Sequence, residues 1–260
     1  MNELQVREAF SYSFAFPFTV AGEEMEVEKS INTRGPFELF NMTHSHTGVG
    51  GLTFEVVDTG FNQSLMNMKL PASLIAGVGQ RPFIVPVTYT FRQNRTIRLR
   101  AKNGVTAANP GVITLNGCTR DIDSVDESNV MFNGQRQDLD AVPFNGQFFC
   151  YGAPIVFTVA GETIETGIDI YNNRAFECFY ILSNFAAGMN IQILDTATGR
   201  TFFDTMTPYN NVSGNAQYPY RMPVNRSFPA HGSISIRATN TNGAGAHSGY
   251  IVLAGANVGA

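Results

Sequence analysis

Few residues in this chain are of a type and spacing that could do chemistry. The one close histidine pair is His44-Ser45-His46. In an extended strand, residues two apart point to the same side, so both imidazoles could share a metal ion. No third ligand accompanies them at a sensible spacing, and a polar loop is the favoured reading. His231 and His247 fall in turns, far from each other in sequence. Asp121, Asp123, Asp126 and Glu127 offer clustered carboxylate oxygens of the kind that hard cations such as Ca²⁺ take. The stretch lacks the central glycine and distal glutamate of an EF-hand, so a solvated acidic connector is the better reading.

The cysteines, Cys118, Cys150 and Cys178, are odd in number and have no paired spacing. Buried free thiols in a reducing cytosol are expected. Asp58 and Asp195 each end an apolar run and precede a threonine. A side-chain to backbone turn explains them better than a pair of catalytic carboxylates. Arg100 and Arg237 stand on the polar faces of their strands, placed for a repeated salt bridge or a repeated contact with a neighbouring subunit. There is no G-x-S-x-G elbow, no phosphate-binding glycine loop with a lysine, and no Cys-His pairing. The chain is therefore read as a non-enzyme, with no catalytic, cofactor-binding or metal-binding residues assigned.

What must be positioned is instead a repeat. Phe18-Thr19-Val20-Ala21-Gly22-Glu23 recurs 139 residues later as Phe157-Thr158-Val159-Ala160-Gly161-Glu162. Phe37-Glu38-Leu39-Phe40 returns as Phe176-Glu177-Cys178-Phe179. Phe54-Glu55-Val56-Val57-Asp58-Thr59 returns as Ile191-Gln192-Ile193-Leu194-Asp195-Thr196, displaced by 137. Each half closes on a glycine and an apolar run, Gly111-Val112-Ile113-Thr114-Leu115 against Gly249-Tyr250-Ile251-Val252-Leu253. A unit of about 100 residues is the size of a self-sufficient domain rather than of a solenoid repeat. The histidine pair is not duplicated: its counterpart reads Ser183-Asn184-Phe185.

The apolar pattern has period two. Phe14, Phe16 and Phe18 alternate with Ser13, Ala15 and Pro17, and Met25 and Val27 with Glu24, Glu26 and Glu28. Such alternation marks half-buried strands of antiparallel sheets. Gly22, Gly161, Thr198-Gly199 and Asn242-Gly243 punctuate them as turns. The expected fold is all-β: two tandem, duplicated antiparallel β-sandwiches of jelly-roll type. Short helices are expected only at residues 62–69, 75–78 and 3–9. The expected organisation is an N-terminal arm at 1–11, a first sandwich at 12–117, an acidic linker at 118–147 and a second sandwich at 148–260.

Charged residues make up 15% of the chain and the net charge is -4. Nucleic-acid binders are usually basic, so partners are expected to be proteins. There is no signal-peptide pattern at the start and no apolar run of about 18 residues that would span a membrane.

The closing segment of each half carries a pattern. The first version is Pro82-Phe83-Ile84-Val85-Pro86-Val87, then Phe91, then Ile97-Arg98-Leu99-Arg100-Ala101-Lys102-Asn103. The second is Tyr218-Pro219-Tyr220-Arg221-Met222-Pro223-Val224, then Phe228-Pro229-Ala230, then Ile234-Ser235-Ile236-Arg237-Ala238-Thr239-Asn240. This resembles the C-terminal part of a group of bacteriophage virion structural proteins with jelly-roll-like β-sandwiches. The resemblance implies a capsid decoration, cement or minor capsid protein, located in the virion and made in the host cytoplasm. It implies partners among other capsid or vertex proteins and the chain itself; two similar sandwiches per chain would let a homotrimer imitate six-fold surroundings. It carries over no functional residue.

Three other readings remain beside it. One is a double jelly-roll major coat protein. Another is a carbohydrate- or receptor-binding module of a tail or vertex, weakened by the absence of tryptophan. The last is an enzyme of cupin type, which would need a histidine-glutamate set that is missing.

Overall fold

In the computed structural model, residues 7–31, 35–46, 51–105, 107–120, 130–132, 135–137, 146–170, 174–185, 188–243 and 245–258 are described. The first half folds as β1 (Arg7–Phe16), β2 (Glu24–Ser30), β3 (Phe37–His46), β4 (Leu52–Asp58), β5 (Gln63–Ser64), β6 (Leu70–Pro71), a single-turn helix α1 (Ala72–Ile75), β7 (Phe83–Phe91), β8 (Thr96–Asn103) and β9 (Gly111–Arg120). A short hairpin, β10 (Val130–Phe132) and β11 (Gln135–Gln137), follows. The second half repeats the series as β12 (Gln147–Phe157), β13 (Thr163–Asp169), β14 (Ala175–Ser183), β15 (Met189–Asp195), β16 (Arg200–Thr201), β17 (Thr207–Pro208), α2 (Tyr209–Val212), β18 (Tyr220–Phe228), β19 (Ser233–Asn240) and β20 (His247–Val258).

Each half is a jelly roll. In the first, one sheet runs β1-β9-β3-β7 and the other β2-β8-β4-β5, with β6 also on β4; in the second, the orders are β12-β20-β14-β18 and β13-β19-β15-β16, with β17 on β15. First and last strands thus lie side by side, from Arg7↔Arg120 to Phe16↔Gly111 in one half and from Gln147↔Asn257 to Phe157↔His247 in the other. The period-two pattern does the sorting. Phe14, Phe16 and Phe18 point between the sheets and are buried, whereas Ser13 and Ala15 point out. The duplication reaches the irregularities: β3 bulges between Leu39 and Asn41, and β14 bulges at the equivalent point between Cys178 and Tyr180.

Several expectations change. Residues 62–69 form no helix; they hold β5 and an isolated bridge of Met66 to Cys150 in the other sandwich. The turn of helix expected at 75–78 lies earlier, at Ala72–Ile75. Its repeat, Tyr209–Val212, has no counterpart among the helices expected from the sequence. Helices this short are not stable alone, so tertiary packing decides where they form. Of the arm expected at 1–11, Arg7 to Ser11 belong to β1, and of the linker expected at 118–147, Cys118 to Arg120 belong to its partner β9, so both stretches are part of the first sandwich; residues 1–6 lie outside the described residues. The unbroken ladder between first and last strands is the reason. The second sandwich opens at Gln147 rather than at 148. The acidic residues Asp121, Asp123, Asp126, Glu127, Asp138 and Asp140 lie outside the described residues. Among those described, no helix is long and apolar enough to cross a membrane.

Candidate functional site

Among the described residues, those singled out for chemistry do not come together. Among the described residues, no three His, Cys, Asp or Glu side chains are grouped so as to hold a metal ion. His44 sits half-buried on β3, where its backbone N–H donates to Gly77 O at 2.7 Å; the side chain of His46 is outside the described set. All three cysteines are buried thiols outside any disulfide. Burial pushes the Cys150 and Cys178 thiols up, which keeps them protonated and poor nucleophiles. His247 is ringed by Phe157 and Phe185, with centroids 5.0 and 5.7 Å away.

The paired aspartates are turn formers, each in its own setting. Asp195 accepts from the Ala197 N–H at 3.0 Å and the Thr198 hydroxyl at 2.6 Å. Asp58 accepts from the Gly60 N–H at 2.8 Å and from the Tyr89 hydroxyl at 3.1 Å, and burial pushes its carboxyl up. Arg100 takes the salt-bridge reading, donating to Glu26 at 2.7 Å and Glu55 at 3.3 Å, beside Arg98 on Glu26 and Glu28. Around Arg237 the equivalent face is nearly neutral: Gln192 replaces Glu55, Ser235 replaces Arg98, and Ser235 donates to Glu165.

The six-residue repeat builds the same loop twice. Glu23 Oε2 accepts from the N–H groups of Thr19 and Val20 at 2.6 and 3.2 Å, and Glu162 Oε2 from those of Thr158 and Val159 at 2.5 and 3.3 Å. These backbone donors hold both carboxyls below the usual glutamate range. From the ends of β8 and β19, Asn103 Nδ2 donates to Val20 O and Asn240 Nδ2 to Val159 O, at 2.8 and 2.7 Å. Gly22 and Gly161 close the turns at φ +72° and +74°. With the polar groups used internally, each apex presents a valine that is 58% or 57% exposed.

The most extensive constructed surface is the junction of the two sandwiches. The segment 65–67 of the first lies parallel to the free edge of β12. Cys150 N–H donates to Leu65 O at 2.9 Å, and Asn67 N–H to Cys150 O at 3.1 Å. The Asn67 amide adds a reciprocal pair with the Gly152 backbone, at 2.7 and 3.1 Å. Phe83 of β7 packs against Phe148 and Tyr180. Phe148, Cys150, Leu182, Val252 and Ala254 of the second sandwich belong to the same buried apolar cluster as Leu65, Met66, Leu70 and Phe83 of the first. The end of the Leu70 side chain occupies the space that a side chain at position 152 would enter, so any residue larger than glycine there would have to displace it. Arg81 stacks over Tyr218 at 4.4 Å at the rim.

No protein-family model matches the sequence, and no curated protein matches it either. Among solved structures, the chain is similar to the atomic structure of Sulfolobus turreted icosahedral virus, with 12% identity over 96% of this chain and 91% of that one and a TM-score of 0.44. It is similar to STIV MCP at 11% identity, covering 95% of this chain and 96% of that one, with a TM-score of 0.43. It is also similar to PBCV-1 VP54, fitted into a reconstruction of the virophage Sputnik, at 10% identity over 98% and 95% with a TM-score of 0.42. None of the three is described as a bacteriophage protein. The likeness is one of strand arrangement and extends to no residue's role.

The junction was missed at the level of sequence, although it leaves a signal. Phe148-Phe149-Cys150-Tyr151 and Ile251-Val252-Leu253-Ala254 are unbroken apolar runs where the first half alternates, as in Ser11-Tyr12-Ser13-Phe14. Unbroken runs mark strands covered on both faces.

Proposed function

We propose that this chain is a non-enzymatic structural protein of a virion that acts through protein–protein contacts. In this reading it is a capsid decoration, cement or minor capsid protein of a bacteriophage, made in the host cytoplasm. Its partners are other virion proteins and itself, as a homotrimer that sets six sandwiches around one axis. One observation carries the reading. The duplication retains framework in both halves, namely the strand order, the bulge and the Glu-anchored apex loop, while the His pair, the cysteines and the Tyr89–Asp58 contact are each unrepeated. A duplicated shape is what repeated contacts need, since joined modules gain avidity through effective concentration.

A second reading, a shell-forming coat protein of double jelly-roll type, is favoured by the shared apolar cluster that makes one block of the two sandwiches. Negative-stain microscopy of the purified chain, with quantitative mass spectrometry of the native particle, separates the two. Discrete rings that add to preformed capsids support decoration, and closed shells from the chain alone support the coat reading. Absence of the chain from purified particles overturns both. Glycan binding by an isolated monomer would move the chain to the recognition modules.

A further inference from the structure

The junction between the sandwiches has two sides, and a chain with two sandwiches uses each side once. The first sandwich contributes the segment 65–67, and the second contributes the free edge of β12. That leaves the equivalent segment 202–204 of the second sandwich and the equivalent edge of β1 in the first. Among the described residues, nothing runs along the outer edge of β1, which pairs only with β9. Exposed edges of this kind are normally covered or blunted.

We propose that the intra-chain junction recurs between chains, with residues 202–204 of one copy lying parallel along the edge of β1 at Ser11 of the next. The proposal rests on the reading of this chain as a self-associating virion protein and supplies the contact.

The backbone is already set for it. Ser11 faces Asn116 in the ladder as Cys150 faces Ala254, so its N–H and C=O point away from the sheet as those of Cys150 do. Phe202 N–H donates to Ile193 O at 2.8 Å as Leu65 N–H donates to Val56 O at 2.9 Å. Phe202 C=O and Asp204 N–H therefore take the places from which Leu65 C=O and Asn67 N–H reach β12. Ser11, Ser13 and Asp204 are exposed.

The side chains are matched as well. Inside the chain, bulky Leu70 meets Gly152, which has no side chain. Between chains, the smaller Thr207 would meet Ser13, so the side chain gained on one surface is offset by the one shortened on the other. Val224 is 74% exposed, whereas its counterpart Val87 is half-buried beside Gly146 of the junction. The face beside the β1 edge carries Ser11, Ser13, Asn41, Thr43, Thr114 and Asn116, tied together by hydrogen bonds. Hydroxyls and amides keep that face wettable in the free chain; the opposing segment brings one charge, Asp204, whose carboxylate can accept from the Ser13 N–H as the Asn67 amide oxygen accepts from that of Gly152, but has no N–H to give the Ser13 C=O. Such a contact is heterologous, one edge against one segment, so repetition closes a ring or extends a filament.

Two variants and their mixture test it. Ser11→Pro removes the outward N–H from an edge where proline is tolerated, and Asp204→Pro removes the outward N–H of the opposing segment at an exposed position. Each variant alone is expected to run as a folded monomer, with an association constant reduced at least about tenfold, roughly 1.4 kcal/mol. Mass and circular dichroism report oligomeric state and fold. A one-to-one mixture should stop at dimers, because the intact segment of the first variant fits the intact edge of the second. Wild-type oligomers unchanged by Ser11→Pro, a monomeric wild-type chain, or a mixture of folded variants that gives no dimer overturns the proposal. Loss of the contact while the chain is still found in purified particles sinks this inference and leaves the virion reading standing; absence from particles sinks that reading whatever the oligomer does.

Discussion

The outer faces of β12-β20-β14 and of β1-β9-β3 share one backbone and carry opposite chemistry. At six equivalent positions the second sandwich has Cys150, Gly152, Tyr180, Leu182, Val252 and Ala254, and the first has Ser11, Ser13, Asn41, Thr43, Thr114 and Asn116. The first set is packed against a neighbouring sandwich in the same chain, and the second is left on the surface. Covalent linkage explains the difference. A face whose partner is always attached can be apolar, whereas one that must survive in water needs hydrogen-bonding groups.

Breaking the internal junction should have the largest effect. Phe83→Ala, at a fully buried ring against Phe148 and Tyr180, is expected to cost about 3–5 kcal/mol in denaturant unfolding. Its counterpart Tyr220→Ala, on a half-exposed strand end, should cost less than half as much. Equal losses would mean that the two strands are not differently engaged. Next comes Gly152→Val, which forces a side chain into the space of Leu70 and should cost about 1–3 kcal/mol. Ser13→Val at the exposed counterpart should stay within about 0.5 kcal/mol in the monomer, as calorimetry would show.

The other sheet sharpens the contrast at smaller scale. Arg98 sits between Glu26 and Glu28 with its side chain 28% exposed, so Arg98→Ala should cost under about 1 kcal/mol. That cost should shrink as salt is added, while Ser235→Ala should show no such salt dependence. The smallest effect is local and should be equal in the two halves. Glu23 and Glu162 have folded pKa values lowered by the loop N–H groups. Their support is therefore present above the ordinary glutamate pKa and is lost as pH falls through the lowered folded values. In an NMR titration, the amides of Val20 and Val159 should shift together below the ordinary carboxylate range. Midpoints in that ordinary range, or loops that titrate apart, would show that the two apices are not one construction.

How much could be read in advance differs by element. Phe14, Phe16 and Phe18 announced their strand because period-two burial is a local property of extended backbone. Asp58 and Asp195 announced turns because the backbone N–H each one accepts from lies two residues on, whereas the Tyr89 hydroxyl on Asp58 comes from far along the chain. The stretch 62–69 misled, since Leu65 and Asn67 take their backbone partners from Cys150, far along the chain. Residues 7–11 looked like part of an arm because they stand outside the repeated sequence, and only their ladder with β9 makes them strand.

The duplication, the sheet-forming alternation and the turns follow from the residues in order, because each depends on neighbours within a few positions. Which strand edge is covered, which faces meet at the junction and which are left for another copy depend on segments far apart in the chain. Those choices are made by packing, where an apolar face finds the one surface shaped to bury it.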